Sequence, residues 1–248
     1  MKIGLILVGD EILSGRRVDR HMPRVVEMLR TRGLCLSWVR ILGDEPEALV
    51  ACFRSTFASS DLVFSTGGIG ATPDDLTRAA VAQALGRPTE RHPQGVTLLQ
   101  KFARETGREL TPERYRLVEF PRGSELIPNP YNGIPGFRID HHHFVPGFPE
   151  MAWPMLEWVL DNLYPDLQDA QYSESSLLVY GANESRIIPL MEAVMGQYPG
   201  VRLFSLPILE SPPRIELGAK GPLLEVKAAI AAIKARLSSM GVDWQRQD

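Results

Sequence analysis

Thr66-Gly67-Gly68-Ile69-Gly70-Ala71-Thr72-Pro73-Asp74-Asp75 follows a short apolar run, Leu62 to Ser65. It leads into a helical pattern with Leu76, Ala79 and Ala80 inward and Gly86 as the stop. A strand that breaks into glycines and then into a helix marks the carboxyl edge of a parallel sheet, where open α/β proteins bind ligands. Glycines let the backbone approach a ligand and turn its N–H groups outward. The helix N-terminus adds partial positive charge, which suits a phosphate. No Gly-Lys-Ser/Thr follows and the spacing is not GxGxxG, so this is neither a P-loop nor a dinucleotide fingerprint.

Asp74 and Asp75 repel an anion unless a divalent cation such as Mg²⁺ or Mn²⁺ bridges carboxylate and phosphate. A plainer reading makes Thr72 an N-cap, Pro73 the first helical residue and the acids complements of the helix dipole. That reading leaves one acid without a role.

The same alternation extends upstream. Ile3 to Val8 reads as a buried strand ending in Gly9-Asp10-Glu11 and Ser14-Gly15. From Asp19 the spacing predicts a helix with Met22, Val25, Val26 and Leu29 on one face and Gly33 as its stop. Leu34 to Leu42 reads as a second strand. Asp44-Glu45-Pro46-Glu47 opens a helix with Leu49, Cys52 and Phe53 inward; Asp44 fits its N-cap and Glu47 a capping box. Three strand ends therefore bring Asp10, Asp44 and the glycine loop to one rim, in βαβ units with a parallel sheet covered on both faces.

Downstream, Gln94 to Glu119 reads as mainly helical. Pro121 to Phe137 reads as loops around a short strand at Glu125 to Ile127. His143 to Val145 is a further strand, and Pro146-Gly147-Phe148-Pro149 turns into a helix bearing Met155, Leu156, Val159, Leu160 and Leu163. Tyr164 to Ser173 is polar and reads as a linker. A βαββα order follows: Leu177 to Tyr180, Glu184 to Tyr198 (interrupted or delayed by Pro189), Val201 to Leu209, Arg214 to Gly218, and Leu223 to Met240. This suggests a small α+β domain over 173–243, with Trp244 to Asp248 frayed. His141-His142-His143 reads as a polar turn, because successive strand residues point to opposite faces and cannot chelate one ion easily.

A chain of 248 residues holds one large domain or one medium and one small. With 27 Lys+Arg against 30 Asp+Glu, the net charge of −3 excludes a nucleic-acid binder relying on a strong overall basic field. Cys35 and Cys52 form no CxxC, which disfavours a disulfide scaffold or a cysteine zinc site and points to a reducing compartment. The first apolar run is short and ends in acids, unlike a signal peptide, and no run approaches the roughly 20 residues of a membrane span. A cytoplasmic protein without nucleic-acid or membrane partners is expected.

Val8-Gly9-Asp10-Glu11-Ile12-Leu13-Ser14-Gly15, Gly43-Asp44-Glu45-Pro46 and Thr66 to Thr77 together resemble the MoaB/Mog molybdopterin-binding domain. The closest form is the N-terminal domain of the competence/damage-inducible protein A (CinA) group. Asn129-Pro130, Pro135-Gly136-Phe137 and Pro146 to Met151 resemble later motifs of that family, in register from Met1 to about Asn162. The resemblance implies an α/β fold, a three-layer αβα sandwich with a mostly parallel sheet over 1–165, followed by the CinA group's small α+β domain. It leaves no room for that group's amidohydrolase domain, so deamidation of nicotinamide mononucleotide is not expected. It departs from the pattern at Ala71, where a proline is usual. Arg20-His21 stands in place of Thr-Asn, and Tyr131-Asn132-Gly133-Ile134 in place of a Gly-Thr-Ala segment.

The resemblance also implies a pocket for a pterin phosphate (molybdopterin) or an ADP-containing ligand. In the Mog branch, acids matching Asp44 and Asp75 serve adenylyl transfer in molybdenum cofactor biosynthesis. In the CinA branch the domain is associated with metal-dependent cleavage of ADP-ribose at its pyrophosphate. The expectation is therefore a pyrophosphohydrolase of ADP-ribose-like dinucleotides using Mg, Mn or Co. Asp75, Asp44 and Asp74 are its catalytic residues, with Asp74 and Asp75 holding the metal. The amides of Gly67, Gly68 and Gly70 cradle phosphates. Further ligand contacts are expected from Gly9, Asp10, Glu11, Ser14, Gly15, Thr66, Thr72, Thr77, Pro146 and Gly147. A non-catalytic binding protein and an adenylyltransferase are the alternatives; a dehydrogenase is weaker for want of the dinucleotide fingerprint. A homo-oligomer is the default assembly.

Overall fold

The computed structural model describes residues 2–168 and 172–246. The chain divides into two units, one holding the residues up to Thr31 with Cys35–Leu167, the other Arg32–Leu34 with the residues from Gln168 onward. The first unit runs β1 (Ile3–Val8), α1 (Asp10–Leu13), α2 (His21–Arg30), β2 (Trp38–Leu42), α3 (Pro46–Phe57), β3 (Leu62–Thr66) and α4 (Thr77–Leu85). It continues with β4 (Thr89–Arg91), α5 (Pro93–Thr106), a 3-10 turn (Arg114–Val118), β5 (Glu119–Pro121), β6 (Glu125–Ile127), β7 (Gly136–Ile139), β8 (His142–Val145) and α6 (Pro149–Leu163).

The six-stranded sheet has the order β2-β1-β3-β8-β7-β6. The first four strands are parallel, and β7 and β6 run antiparallel to them. This is a mixed α/β fold with a mostly parallel sheet. All six residues of β1 are buried, as a central strand covered on both faces requires. Ile6 and Val8 join Leu49, Phe53 and Val81 in one core, while Leu5 and Leu7 alternate to the opposite face. Gly4 leaves room for the Trp38 ring, whose atoms would lie 2.1 Å from any Cβ there. Phe137 and Phe144 stack with centroids 4.4 Å apart.

Several sequence expectations change. Strand β2 begins at Trp38, so residues 34–37 are not strand. The buried face of α2 is His21, Val25, Met28 and Leu29; Met22 and Val26 are exposed. Helix α5 ends at Thr106, at Gly107 in the left-handed conformation. Strand β7 and the β4–β5 pair were not expected, because runs of three or four residues carry too little periodicity to register.

His142 and His143 are not a polar turn. Both are buried on β8, pointing to opposite faces. The Thr56 hydroxyl donates to the Phe53 carbonyl at 3.2 Å, so it accepts from His142 Nε2 at 3.0 Å. That fixes the tautomer and leaves Nδ1 buried without a partner among the described residues. His143 Nδ1 donates to the Val63 carbonyl at 3.4 Å, and its Nε2 accepts from the Tyr164 hydroxyl at 3.4 Å. Burial pushes both imidazoles down to about 3.

The second unit is β9 (Tyr172–Tyr180), α7 (Glu184–Gln197), β10 (Arg202–Ile208), β11 (Arg214–Pro222), α8 (Leu223–Ser239) and β12 (Asp243–Arg246). Its antiparallel sheet has the order β10-β11-β9-β12. Leu177, Val179 and Leu217 share its core with Ile187, Val194, Ile233 and Leu237 of the two helices. Helix α7 runs through Pro189 without a break. Trp244 to Arg246 pair with β9 instead of fraying; residues 247 and 248, like 169–171 of the expected linker, lie outside the described residues. No helix among the described residues is long and apolar enough to cross a membrane.

Candidate functional site

The glycine loop is built by turning its carbonyls inward. Gly67 has φ +96°, and a Cβ there would lie 2.1 Å from the Val8 carbonyl oxygen. Only glycine allows this crossing over the end of β1. The Thr77 hydroxyl donates to the Gly67 carbonyl at 3.0 Å, and the Thr77 N–H donates to the Gly68 carbonyl at 3.0 Å. The buried Arg78 guanidinium donates to the carbonyls of both Ile69 and Gly70. Four successive carbonyls are thus engaged from below.

Asp75 closes the loop from the other side. Its Oδ1 accepts from the Gly70 N–H at 2.8 Å, and its Oδ2 accepts from the Thr72 N–H at 2.9 Å and the Thr72 hydroxyl at 2.5 Å. Residues 72–75 form a turn, and helix α4 begins only at Thr77. The N-cap reading of Thr72-Pro73-Asp74-Asp75 is therefore replaced: Asp75 caps the loop, not the helix.

The amide set changes accordingly. The Gly67 N–H donates to the Val145 carbonyl at 3.1 Å and the Gly70 N–H to Asp75, so neither is free for a phosphate. The N–H groups of Gly68, Ile69 and Ala71 have no partner among the described residues. Thr77 is fully buried and Thr66 nearly so; they shape the loop and offer no side chain to a ligand.

Residues 68–72 and Asp75 line a cleft of about 390 Å³. Its other walls include Pro146, Gly147, Phe148, Met151 and Asn132. A second hollow of about 410 Å³ shares Gly147 and Phe148 and is lined by Glu11, Arg17, Arg20 and His21. Buried His21 donates from Nε2 to the Gly147 carbonyl at 3.1 Å. Ser14 and Gly15 line neither hollow; their N–H groups close α1 by donating to the carbonyls of Asp10 and Ile12.

Asp10 and Asp44 interlock. The Asp10 N–H donates to Asp44 Oδ2 at 3.1 Å, and the Asp44 N–H donates to Asp10 Oδ1 at 3.2 Å. The Gly9 N–H donates to the Leu42 carbonyl at 3.0 Å, which ties the same two loops. Asp44 does not cap α3, whose N-cap is Glu45 without a side-chain bond. Burial pushes the Asp44 carboxyl up; the Asp10 N–H opposes this, and the charges of Asp10, Glu11 and Asp74 add to it. Neither Asp10, Asp44 nor Asp74 lines the cleft itself.

Among the described residues, no three His, Cys, Asp or Glu side chains cluster as a metal-holding group. The Asp75 oxygens are already engaged. The donors do not fit a resident ion.

Arg78 escaped the sequence reading, which placed Ala79 inward; Ala79 is exposed. The available signal was a charged residue beside Thr77 on a helix continuing through Ala80 and Val81. Burial lowers the Arg78 guanidinium to about 10, against the opposing charge of Asp75. Arg78→Lys keeps the charge and loses the fork that reaches two carbonyls. It is expected to cost about 2 kcal/mol in urea unfolding. An unchanged midpoint would show that the loop does not depend on Arg78.

Residues 4–168 match the family described as "Probable molybdopterin binding domain". A CinA-like protein of Anaeromyxobacter dehalogenans strain 2CP-1 is 34% identical over 200 residues, covering 79% of this chain and 49% of that one. The chain thus spans about half the length of this relative. A protein of Pyrobaculum arsenaticum is 31% identical over 227 residues, covering 90% of this chain and 83% of that one. The crystal structure of CinA from Thermoplasma acidophilum, described as of unknown function, superposes with a TM-score of 0.59 at 25% identity. That match covers 68% of this chain and all of the other.

Proposed function

Since the chain belongs to the molybdopterin-binding domain family, we propose that its cleft binds a phosphorylated heterocycle and that it cleaves the pyrophosphate of an ADP-ribose-like dinucleotide. The observation that carries this reading is the set of unpaired N–H groups of Gly68, Ile69 and Ala71 on a loop lining the cleft. Fixed amide donors stabilise charge on phosphate oxygens without reorganising at the moment of reaction. Arg78 and Asp75 hold those donors in place from opposite sides. Displacement at phosphorus needs positioning and charge neutralisation more than covalent help. A divalent metal bound with the diphosphate would supply further neutralisation. Asp44, with Asp10 and Asp74 near it, lies outside the lining of the cleft and would act through a metal bound with the ligand. A molybdopterin-type pterin phosphate presents the same anion to the same loop.

Purified protein incubated with ADP-ribose and Mg²⁺, Mn²⁺ or Co²⁺ is expected to release AMP. Asp44→Asn is expected to reduce the rate about 10- to 100-fold, as the loss of a group that orients a bound metal does. Absence of AMP with every metal would remove the hydrolase. The engagement of both Asp75 oxygens within the loop favours a second reading, a binding protein without turnover. Calorimetric binding of ADP-ribose without AMP release would select it.

A further inference from the structure

Beyond the central cleft lies another hollow of about 400 Å³, between helix α5 and the Pro130–Gly133 turn. The two hollows meet at Asn132, which lines both. Its walls combine the apolar Leu98, Phe102 and Pro130 and the ring of Tyr131 with Lys101, Glu105 and Thr106. Tyr131 is 64% exposed.

The turn that displays Tyr131 is firmly held. Buried Asn129 accepts from the Tyr131 N–H at 3.0 Å and donates from Nδ2 to Asn132 Oδ1 at 2.9 Å and to the Ile134 carbonyl at 3.0 Å. Asn132 Oδ1 also accepts from the Ile134 N–H at 2.9 Å. With its oxygen doubly engaged, the amide cannot flip. Its Nδ2 is left with the Met151 sulfur at 3.6 Å, a weak acceptor for two strong donor hydrogens. A hydrogen-bond donor therefore stands at the junction of the hollows.

We infer that the hollow beside Tyr131 holds a second planar ring, so that the chain takes a two-ring dinucleotide, with Asn132 donating to the ligand where it passes out of the central cleft. The inference rests on the reading of that cleft as a nucleotide site and deepens it. An exposed aromatic ring carried on a firmly held turn stacks any base or planar heterocycle. Phe102 bears the Arg108 guanidinium at 5.5 Å from its ring centroid, which leaves Tyr131 as the open stacking face.

NAD⁺ carries a cationic nicotinamide ring where ADP-ribose has a hydroxyl, and the Tyr131 variants separate contact with that ring from the change in charge. Calorimetry on the whole chain with Mg²⁺ present, and with the bridging pyrophosphate oxygen of both ligands replaced by methylene so that nothing is cleaved, is expected to show the NAD⁺ form binding about tenfold more tightly than the ADP-ribose form. Tyr131→Ala should bring NAD⁺ to the ADP-ribose level and leave ADP-ribose unchanged; Tyr131→Phe should keep the preference. Equal affinities in the unaltered chain, or a preference that survives Tyr131→Ala, would overturn the inference. NAD⁺ held through Tyr131 while ADP-ribose fails to bind would overturn the ADP-ribose reading and keep the second-ring site. Failure of both ligands would remove both.

Discussion

Lowering the pH from 7 to 5 is expected to destabilise the first unit by about 4 kcal/mol, about 2 for each of His142 and His143. Both imidazoles are held neutral down to about 3, against 6.5 for the exposed side chain. The unfolded chain therefore takes up protons below about 6.5 that the folded chain refuses. Their stabilisation is fully present above that value and is lost progressively as the pH falls towards 3. The cause is geometric: His142 lies against Phe57 with centroids 3.8 Å apart, and a proton on its Nδ1 would be a buried charge without a partner. The drop corresponds to about 10 °C in Tm for a unit of this size. Carboxylates in their ordinary range are still largely ionised at pH 5 and contribute little here, while Asp44, raised by burial, opposes part of the loss. His142→Phe should remove about half of the slope. A Tm that does not move between pH 7 and pH 5 would mean that these histidines are reached by solvent.

Gly67→Ala is expected to cost about 4 kcal/mol or more and to abolish binding of ADP-ribose. Two penalties combine: a φ of +96°, and a contact of 2.1 Å with the Val8 carbonyl, a backbone atom that cannot swing aside. Gly86→Ala separates them. Gly86 also has a positive φ, +63°, but nothing lies within 4 Å of the added carbon, so only about 1 kcal/mol of conformational strain is expected. Urea unfolding of the two variants measures the difference. Equal losses would show that the loop does not cross β1 as closely as described.

Much of the first unit was legible because its signals are local and long enough to repeat. Ile3–Val8 is apolar at every position, and Leu62–Thr66 breaks directly into glycines. The capping assignments failed for Asp44 and for Thr72-Pro73-Asp74-Asp75. An acid before a helix has the same appearance whether it serves that helix or a neighbouring loop. Asp44 is taken by Asp10, 34 residues away, and Asp75 by Gly70 and Thr72.

The sequence by itself determined the parallel sheet, the position of the glycine loop at its carboxyl edge and the family, since each rests on residues adjacent in the chain. Only the tertiary structure decided which amides of that loop remain unpaired. Their availability depends on Val145, Arg78 and Asp75 removing the competing donors and carbonyls. Hydrogen-bond capacity is finite at each atom, and how it is divided among distant partners emerges only when the chain is folded.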